Sequence, residues 1–290
     1  MLSILLPAKN EAKGLALVLP QLKELYPAAE IIVVDDASTD DSIEIANTHG
    51  AHVIVHPYSK GNGAAIKSGL RAAKGDVLVC MDADGQHRPE DIVLLLDKIH
   101  DGFDMVVGSR NKCGQASIHR GLANRFYNHF ASWMVGHRVD DLTSGFRAIK
   151  TKKFREFLTL LPNRFSYPTT VTMSFFRAGY SVCYVAIDVQ PRLLGTQSHI
   201  RIWQDGVRFL LIIFKIGTLF SPLKLFFPIS LSFFTTAVSY YIYTFSTTGR
   251  FTNMSALLFT TSVLIFLMGL ISEQITSLIY KDSNKFDSDD

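Results

Sequence analysis

The chain has 290 residues and a formal charge of +3 at neutral pH. That length holds one large domain with a proper core, and so mild a basic excess leaves out the electrostatic footprint of a nucleic-acid partner. The first two thirds read as an ordinary soluble mixture, whereas from about Phe209 onward apolar and aromatic residues dominate, which sets the main boundary.

Met1 leads into the apolar run Leu2–Leu6, but Pro7 ends it and no basic leader or cleavage site follows. A signal peptide is therefore not expected, and the N-terminus is expected in the cytosol. Short apolar runs at Ser3–Pro7, Glu30–Asp35, His52–Val55, Asp76–Met81 and Asp104–Gly108 alternate with helical spacing. This predicts an α/β class fold with a mostly parallel sheet. Pro20 falls inside the helical pattern Leu15–Leu25 and predicts a kink or division. Gly75 reads as the C′ glycine of the third helix, and Pro89-Glu90-Asp91 as the first turn of the fourth, with Ile92, Leu95, Leu96 and Ile99 facing the sheet. Cys80, Cys113 and Cys183 are odd in number and far apart, which predicts reduced thiols rather than a disulfide or zinc framework.

Between Lys224 and Arg250 lies an uncharged stretch of about 25 residues, and Phe251–Ser272 adds a second of about 22, against the ~20 needed to cross a bilayer core. The short Gly249-Arg250 turn makes the pair a helical hairpin. Arg201, Arg208, Lys215 and Lys224 precede it and Lys281 and Lys285 follow, against Arg250 alone in the loop. This bias predicts a multi-pass protein of the cell (inner) membrane with its soluble domain on the cytoplasmic side. The expected organisation is a soluble domain over 1–200, an interfacial amphipathic region over 201–223, a membrane hairpin over 224–280 and a disordered tail over 281–290. Glu273, near the inner end of the second span, is either simply solvated or functional. Membrane-helix contacts leave a homo-oligomer open.

Chemistry-bearing residues gather where strands end. The apolar run Val77–Met81 delivers Asp82-Ala83-Asp84-Gly85-Gln86-His87 past its C-terminal end, where open α/β sheets bind ligands. Two carboxylates and an amide are hard oxygen donors suited to Mg²⁺ or Mn²⁺ bridging to nucleotide phosphates. Pro7–Glu11 and Asp35–Asp40 end two further strands and face the same cleft, where Asp36 can accept hydrogen bonds from a base or ribose and Ser38 either serves the site or caps the next helix. Lys60-Gly61-Asn62-Gly63 opens the third helix, whose N-terminus attracts anions. The chain lacks the GxxxxGK[ST] spacing of a P-loop and a GxGxxG run after the first strand, which removes the main support for a nicotinamide-dependent dehydrogenase.

Pro7–Ala12, Asp35-Asp36, Lys60–Gly63, Asp82–His87, Gly108-Ser109-Arg110 and Thr143-Ser144-Gly145-Phe146-Arg147 occur in the order found in family-2 glycosyltransferases of GT-A (Rossmann-like) fold. The chain most resembles the polyprenyl-phosphate branch, which includes dolichyl-phosphate mannose synthases and bacterial undecaprenyl-phosphate glucosyltransferases. The resemblance implies metal-dependent, inverting transfer of a hexose from a nucleotide-diphosphate sugar to a membrane polyprenyl phosphate. It places Pro7, Ala8, Asn10, Glu11, Asp36, Lys60 and Gly61 around the donor, Asp82 toward it, and Asp84 with Gln86 on the metal. It assigns Arg110, Arg120, Asn124, Arg192 and Ser198 to the acceptor phosphate, with Asp82, Asp84, Arg110 and Arg192 as the catalytic set. In Pro191–His199 the glycine-to-serine gap is one residue longer than the family's basic loop, and His199 stands where a lysine is common. Leu161–Pro168 either forms the acceptor mouth or packs in the core. A processive polysaccharide synthase would carry a longer pore-forming membrane region. A catalytically silent nucleotide-sugar-binding scaffold would not need the intact Asp82, Asp84, Gln86, Arg110 and Arg192 set.

Overall fold

A computed structural model of the chain describes residues 1–110, 118–163, 167–190, 214, 217–218 and 221–283, without the side chains of 118–124 and 279–283. The chain divides into two compact units, Met1–Arg201 and Ile202–Asp290.

The first unit is built on a seven-stranded sheet of β1 (Leu2–Ala8), β2 (Glu30–Asp35), β3 (His52–Val55), β4 (Val77–Cys80), β5 (Met105–Arg110), β6 (Arg147–Lys150) and β7 (Val182–Ile187). The order is β3-β2-β1-β4-β6-β5-β7, and every pairing is parallel except those of β6, which runs antiparallel between β4 and β5. The sequence reading missed β6 and β7; β6 is only four residues long and lies just after the Thr143–Phe146 loop. Ile4, Leu6, Ile31, Val33, Leu78 and Val79 are at most 2% exposed, so the central strands are covered on both faces. Strand order reverses between β1 and β4, and such a switch point opens a crevice at the C-terminal strand ends.

The first-unit helices are α1 (Ala12–Leu25), α2 (Ser42–Thr48), α3 (Asn62–Ala72), α4 (Ile92–His100), α5 (Ile118–Val135), α6 (Thr151–Glu156) and α7 (Tyr167–Arg177). Pro20 does not divide α1: its ring lies on the exposed face, while Leu15, Val18, Leu19 and Leu22 pin residues on both sides of it to the core. Each such burial contributes roughly 1.5–3 kcal/mol before entropy. Gly75 is not a left-handed cap either. α3 ends at Ala73 in extended backbone, and Gly75 is small because a Cβ there would stand 2.6 Å from Ser3 N. Pro89–Asp91 forms a separate 3₁₀ turn ahead of α4, in which Ile92, Leu95 and Ile99 are buried.

The second unit contains α8 (Pro222–Thr248) and α9 (Asn253–Ser283), two helices apolar and long enough to cross a membrane. Gly249, left-handed at φ 65°, closes the first. Leu231, Phe234, Ile242, Leu257, Leu264, Met268 and Ile271 stand exposed, an apolar surface that suits lipid rather than water. The helices are locked by buried serines: Ser230 Oγ donates to Ser262 O (2.9 Å) and Ser262 Oγ to Ser230 O (3.0 Å). Glu273 accepts from Leu223 N at 3.3 Å, so it meets the first turn of α8, a role that the sequence reading did not consider. The segment Ile202–Leu219, apart from 214 and 217–218, and residues 284–290 lie outside the described residues.

Candidate active site

The loops after β1 and β2 are stitched together at the switch point. Asn10 N donates to Ser38 Oγ (2.8 Å), Thr39 N to Asn10 Oδ1 (2.7 Å), Glu11 N to Ser42 Oγ (3.0 Å) and Ala12 N to Asp40 Oδ2 (3.0 Å). Asn10 and Ala37 both sit at positive φ, 55° and 60°, and for Ala37 this is a strained conformation held by its surroundings. Ser38 therefore ties the two loops and does not cap α2, whose N-cap is Asp41. Pro7 and Ala8 are the last residues of β1, in register with Val34 and Asp35.

Asp36 is 4% exposed and accepts four internal hydrogen bonds: from His56 Nδ1 (2.8 Å), Ser59 Oγ (2.7 Å), Lys60 N (2.7 Å) and Gly61 N (2.8 Å). Burial alone would raise its carboxyl; the four donors outweigh that and hold it down to about 2. Both Asp36 oxygens are thus engaged by protein donors at the end of β2. The anion at the entrance to α3 is Asp36 itself, since Lys60 N and Gly61 N point at it.

Across the switch point, β4 presents Asp82 and Asp84. Asp84 is 9% exposed, and its Oδ1 accepts from Gln86 N (3.1 Å) across the left-handed Gly85. Gln86 donates its amide to Gln190 O (3.2 Å), so its carbonyl oxygen is the end turned away from Gln190. Among the described residues there is no cluster of three His, Cys, Asp or Glu side chains of metal-binding geometry. The donor set is two carboxylates and one amide, which fits a hard divalent ion whose remaining positions go to water and phosphate oxygens. Gln190 N also donates to Gln86 O (2.9 Å), so Gln190 is fixed to this motif by two hydrogen bonds.

Four residues to which the sequence reading gave no site role shape the site, Gly14 and Asp141 unnamed there and His87 and Gly145 named only within motifs. Gly14 on α1 is crowded against the motif: a Cβ there would stand 2.0 Å from Ala83 O. A Cβ on Gly145 would stand 2.9 Å from Asp82 Oδ2. His87, 7% exposed, stacks on Phe146 with ring centroids 4.9 Å apart and brings Nε2 to 3.9 Å from Asp82 Oδ2. Burial lowers the His87 pKa despite the opposing pull of Asp82 and Asp84, which favours a neutral ring. Asp141 accepts Arg110 Nε (2.9 Å) and Nη2 (3.1 Å) bidentately, together with Thr143 N (3.0 Å) and Ser144 N (3.1 Å). Burial pushes Asp141 up, but these bonds leave it below the usual carboxylate range. An Asp two residues before Thr is an Asx-turn signal, the cue by which Asp141 could have been found.

Arg110, at the end of β5, also donates to Thr143 Oγ1 (2.6 Å), so one face of its guanidinium fork is held by protein. Beneath it, fully buried Arg147 donates to Pro168 O (3.1 Å), Thr172 Oγ1 (3.3 Å) and Ser144 O, fixing the loop from below. Tyr167 is buried and donates to Gly145 O (3.1 Å), so in the Leu161–Pro168 segment it packs in the core; 164–166 lie outside the described residues. Arg120 and Asn124 lie on α5, with side chains outside the description, and Arg192, Ser198 and His199 lie outside the described residues.

The mostly parallel sheet thus carries two carboxylates and an amide just past β4 and a guanidinium at the end of β5. Residues 3–169 match the model for Glycosyl transferase family 2, and residues 221–278 match the GtrB C-terminal hairpin. The chain belongs to glycosyl transferase family 2 and is a glycosyltransferase with the GT-A fold. It is similar to the undecaprenyl-phosphate mannosyltransferase of Micrococcus luteus, at 31% identity over 205 residues, 66% of this chain and 84% of that one. It is also similar to the polyprenol monophosphomannose synthase of Mycolicibacterium smegmatis, at 30% identity over 208 residues, 66% and 78% of the two chains. Among solved structures, glucosyl-3-phosphoglycerate synthase of Mycobacterium tuberculosis, crystallised with Mn²⁺ and UDP-glucose, superposes with a TM-score of 0.58 at 20% identity, over 73% of this chain and 76% of that one.

Proposed function

We propose that the enzyme transfers a hexose from a nucleotide-diphosphate sugar to a membrane polyprenyl phosphate, with inversion at the anomeric carbon. The observation that carries this is the presence of two chemistries on one sheet, on strands separated by β6 alone: hard oxygens at the end of β4, and at the end of β5 an arginine fork clamped by Asp141. The two mannosyltransferases named above, which act on polyprenyl phosphates, and the membrane-type hairpin support a lipid acceptor.

An acceptor phosphate oxygen is already ionised at neutral pH, so a strong general base is not required, and the protein's task is orientation and charge neutralisation. Asp84 and Gln86 would hold Mg²⁺ or Mn²⁺, which supplies Lewis-acid neutralisation of the leaving diphosphate. Asp82 faces the donor, kept in place by Gly145 and the His87–Phe146 stack. Pro7, Ala8, Asn10, Glu11, Lys60 and Gly61 line the donor nucleotide. Arg110, with Arg120, Asn124, Arg192 and Ser198, would bind the acceptor phosphate, since guanidinium forks bind phosphate bidentately and stay charged at any relevant pH. A long isoprenoid does not leave the bilayer, which accounts for the hairpin, and the basic flanks around it favour a cytoplasmic catalytic unit.

The test is purified protein in detergent with Mn²⁺, a short polyprenyl phosphate and a panel of labelled nucleotide sugars. Label should pass into the organic phase with one donor and stop on chelation. Failure with every common donor would refute the reading.

A further inference from the structure

We propose that Arg147 is a positioning residue for the transfer step: a buried guanidinium that bolts the Asp141–Phe146 loop to the start of α7, and so holds Asp82 and Arg110 in one fixed geometry. The inference rests on the transfer reaction proposed above. Because β6 runs antiparallel to both its neighbours, its first residue stands at the sheet edge where β4 and β5 finish. Arg147 is therefore in register with Cys80 on β4 and Val107 on β5, two residues before Asp82 and three before Arg110.

The hydrogen-bond partners of this fully buried cation among the described residues are all neutral. Nη1 donates to Pro168 O (3.1 Å) and Thr172 Oγ1 (3.3 Å) and lies 3.8 Å from Met105 Sδ, while Nη2 donates to Ser144 O. Among the described residues the buried Nε has no hydrogen-bond partner. Burial pushes the nearby Cys80 thiol up to about 12 and raises the Tyr184 phenol, so neither supplies a counter-charge. A charge buried on neutral acceptors alone is unfavourable to folding. The reason for Arg147 lies instead in what it holds.

That is the loop joining the two halves of the site. Ser144 follows Thr143, whose Oγ1 accepts Arg110 Nη2 (2.6 Å). It precedes Gly145, where a Cβ would stand 2.9 Å from Asp82 Oδ2, and Phe146, on which His87 stacks. At the other end of the bolt, Tyr167 beside Pro168 donates to Gly145 O (3.1 Å), a second tie between α7 and the loop. Three N–H groups in one plane reach two carbonyls and a hydroxyl at once, a span that a single ammonium does not match. Slack in the loop would move Asp82 and Arg110 relative to each other, and a misplacement on the order of 1 Å can cost about a hundredfold in rate.

The experiment uses the full chain in detergent with Mn²⁺ and a short polyprenyl phosphate, assayed well below the thermal midpoint of each variant, with UDP and GDP binding measured by calorimetry. Arg147→Met keeps the bulk and removes the charge. Its kcat should fall at least about tenfold, while donor KM, acceptor KM and nucleotide affinity stay within about threefold. Its thermal midpoint should stay close to that of wild type, because relief of the buried charge offsets the donor lost to Ser144 O. Arg147→Lys keeps the charge without the span and should be as slow as Arg147→Met. Thr172→Val removes one acceptor and should lower kcat about two- to fourfold, with no further loss when combined with Arg147→Met. A wild-type kcat in Arg147→Met, full activity in Arg147→Lys, a loss confined to one KM, or a loss that tracks the unfolded fraction would overturn the proposal. Should Arg147→Met not fold, Thr172→Val carries the test, and an unchanged kcat there contradicts it. Wild-type protein that transfers no sugar from any common donor would instead overturn the transfer reading itself.

Discussion

At the residue scale, the site separates side chains aimed at ligands from side chains that hold them. Asp84→Ala is expected to abolish metal-dependent turnover, because it removes the charged member of the proposed Asp84–Gln86 ligand pair, whereas Arg110→Ala should chiefly raise the acceptor KM. Initial-rate kinetics with each substrate varied in turn distinguish the two. Asp36 makes a separate contribution that acid titration can read. Its carboxyl is held down to about 2 against an ordinary value near ~4, so its stabilisation is fully present above the ordinary value and is lost as pH falls toward 2. The difference in unfolding midpoint between wild type and Asp36→Asn should therefore shrink between about pH 4 and pH 2, measured by denaturant titration. A pH-independent difference would mean that the hydrogen bonds do not act through the ionised form.

At the element scale, two close approaches keep the β4 motif in place. Gly14→Ala puts a methyl within 2.0 Å of a backbone oxygen that no rotamer change can relieve, so α1 or the Ala83 turn must shift. Destabilisation of roughly 1–3 kcal/mol is expected, with loss of activity, read as a lower thermal midpoint and a reduced rate. In the hairpin, replacing both Ser230 and Ser262 by alanine removes the reciprocal bonds, and roughly 1 kcal/mol of helix association is expected to go with them, measurable by steric trapping or detergent unfolding. The alternation of apolar runs and helical spacing was enough to read β1 to β5 and α1 to α4 from the sequence, because buried parallel strands need uninterrupted Val, Ile and Leu. β6 escaped because it begins and ends on a charged residue, and the burial of Arg147 depends on carbonyls of Ser144 and Pro168. The charge of Asp82 and Asp84 was legible; the glycines packed against them were not, since contacts between Gly14 and Ala83 or Gly145 and Asp82 exist only after folding. Asp36 was legible as a candidate site residue but its protein partners were not, because His56 and Ser59 reach it only through the turn after β3.

At the scale of the whole molecule, an apolar hairpin on the same chain as the catalytic sheet is what the proposed bilayer-borne acceptor calls for. Both halves were visible in the composition shift near Phe209 and in two uncharged stretches of spanning length. Sugar identity was not, because pocket shape rather than motif decides it. The most direct measurement is mass spectrometry of the lipid product formed from a nucleotide-diphosphate hexose, together with the nucleotide released. Transfer of the sugar alone gives a polyprenyl monophosphate carrying one hexose and one nucleoside diphosphate per turnover. A polyprenyl diphosphate sugar with release of nucleoside monophosphate, or no lipid product with any donor, would contradict it.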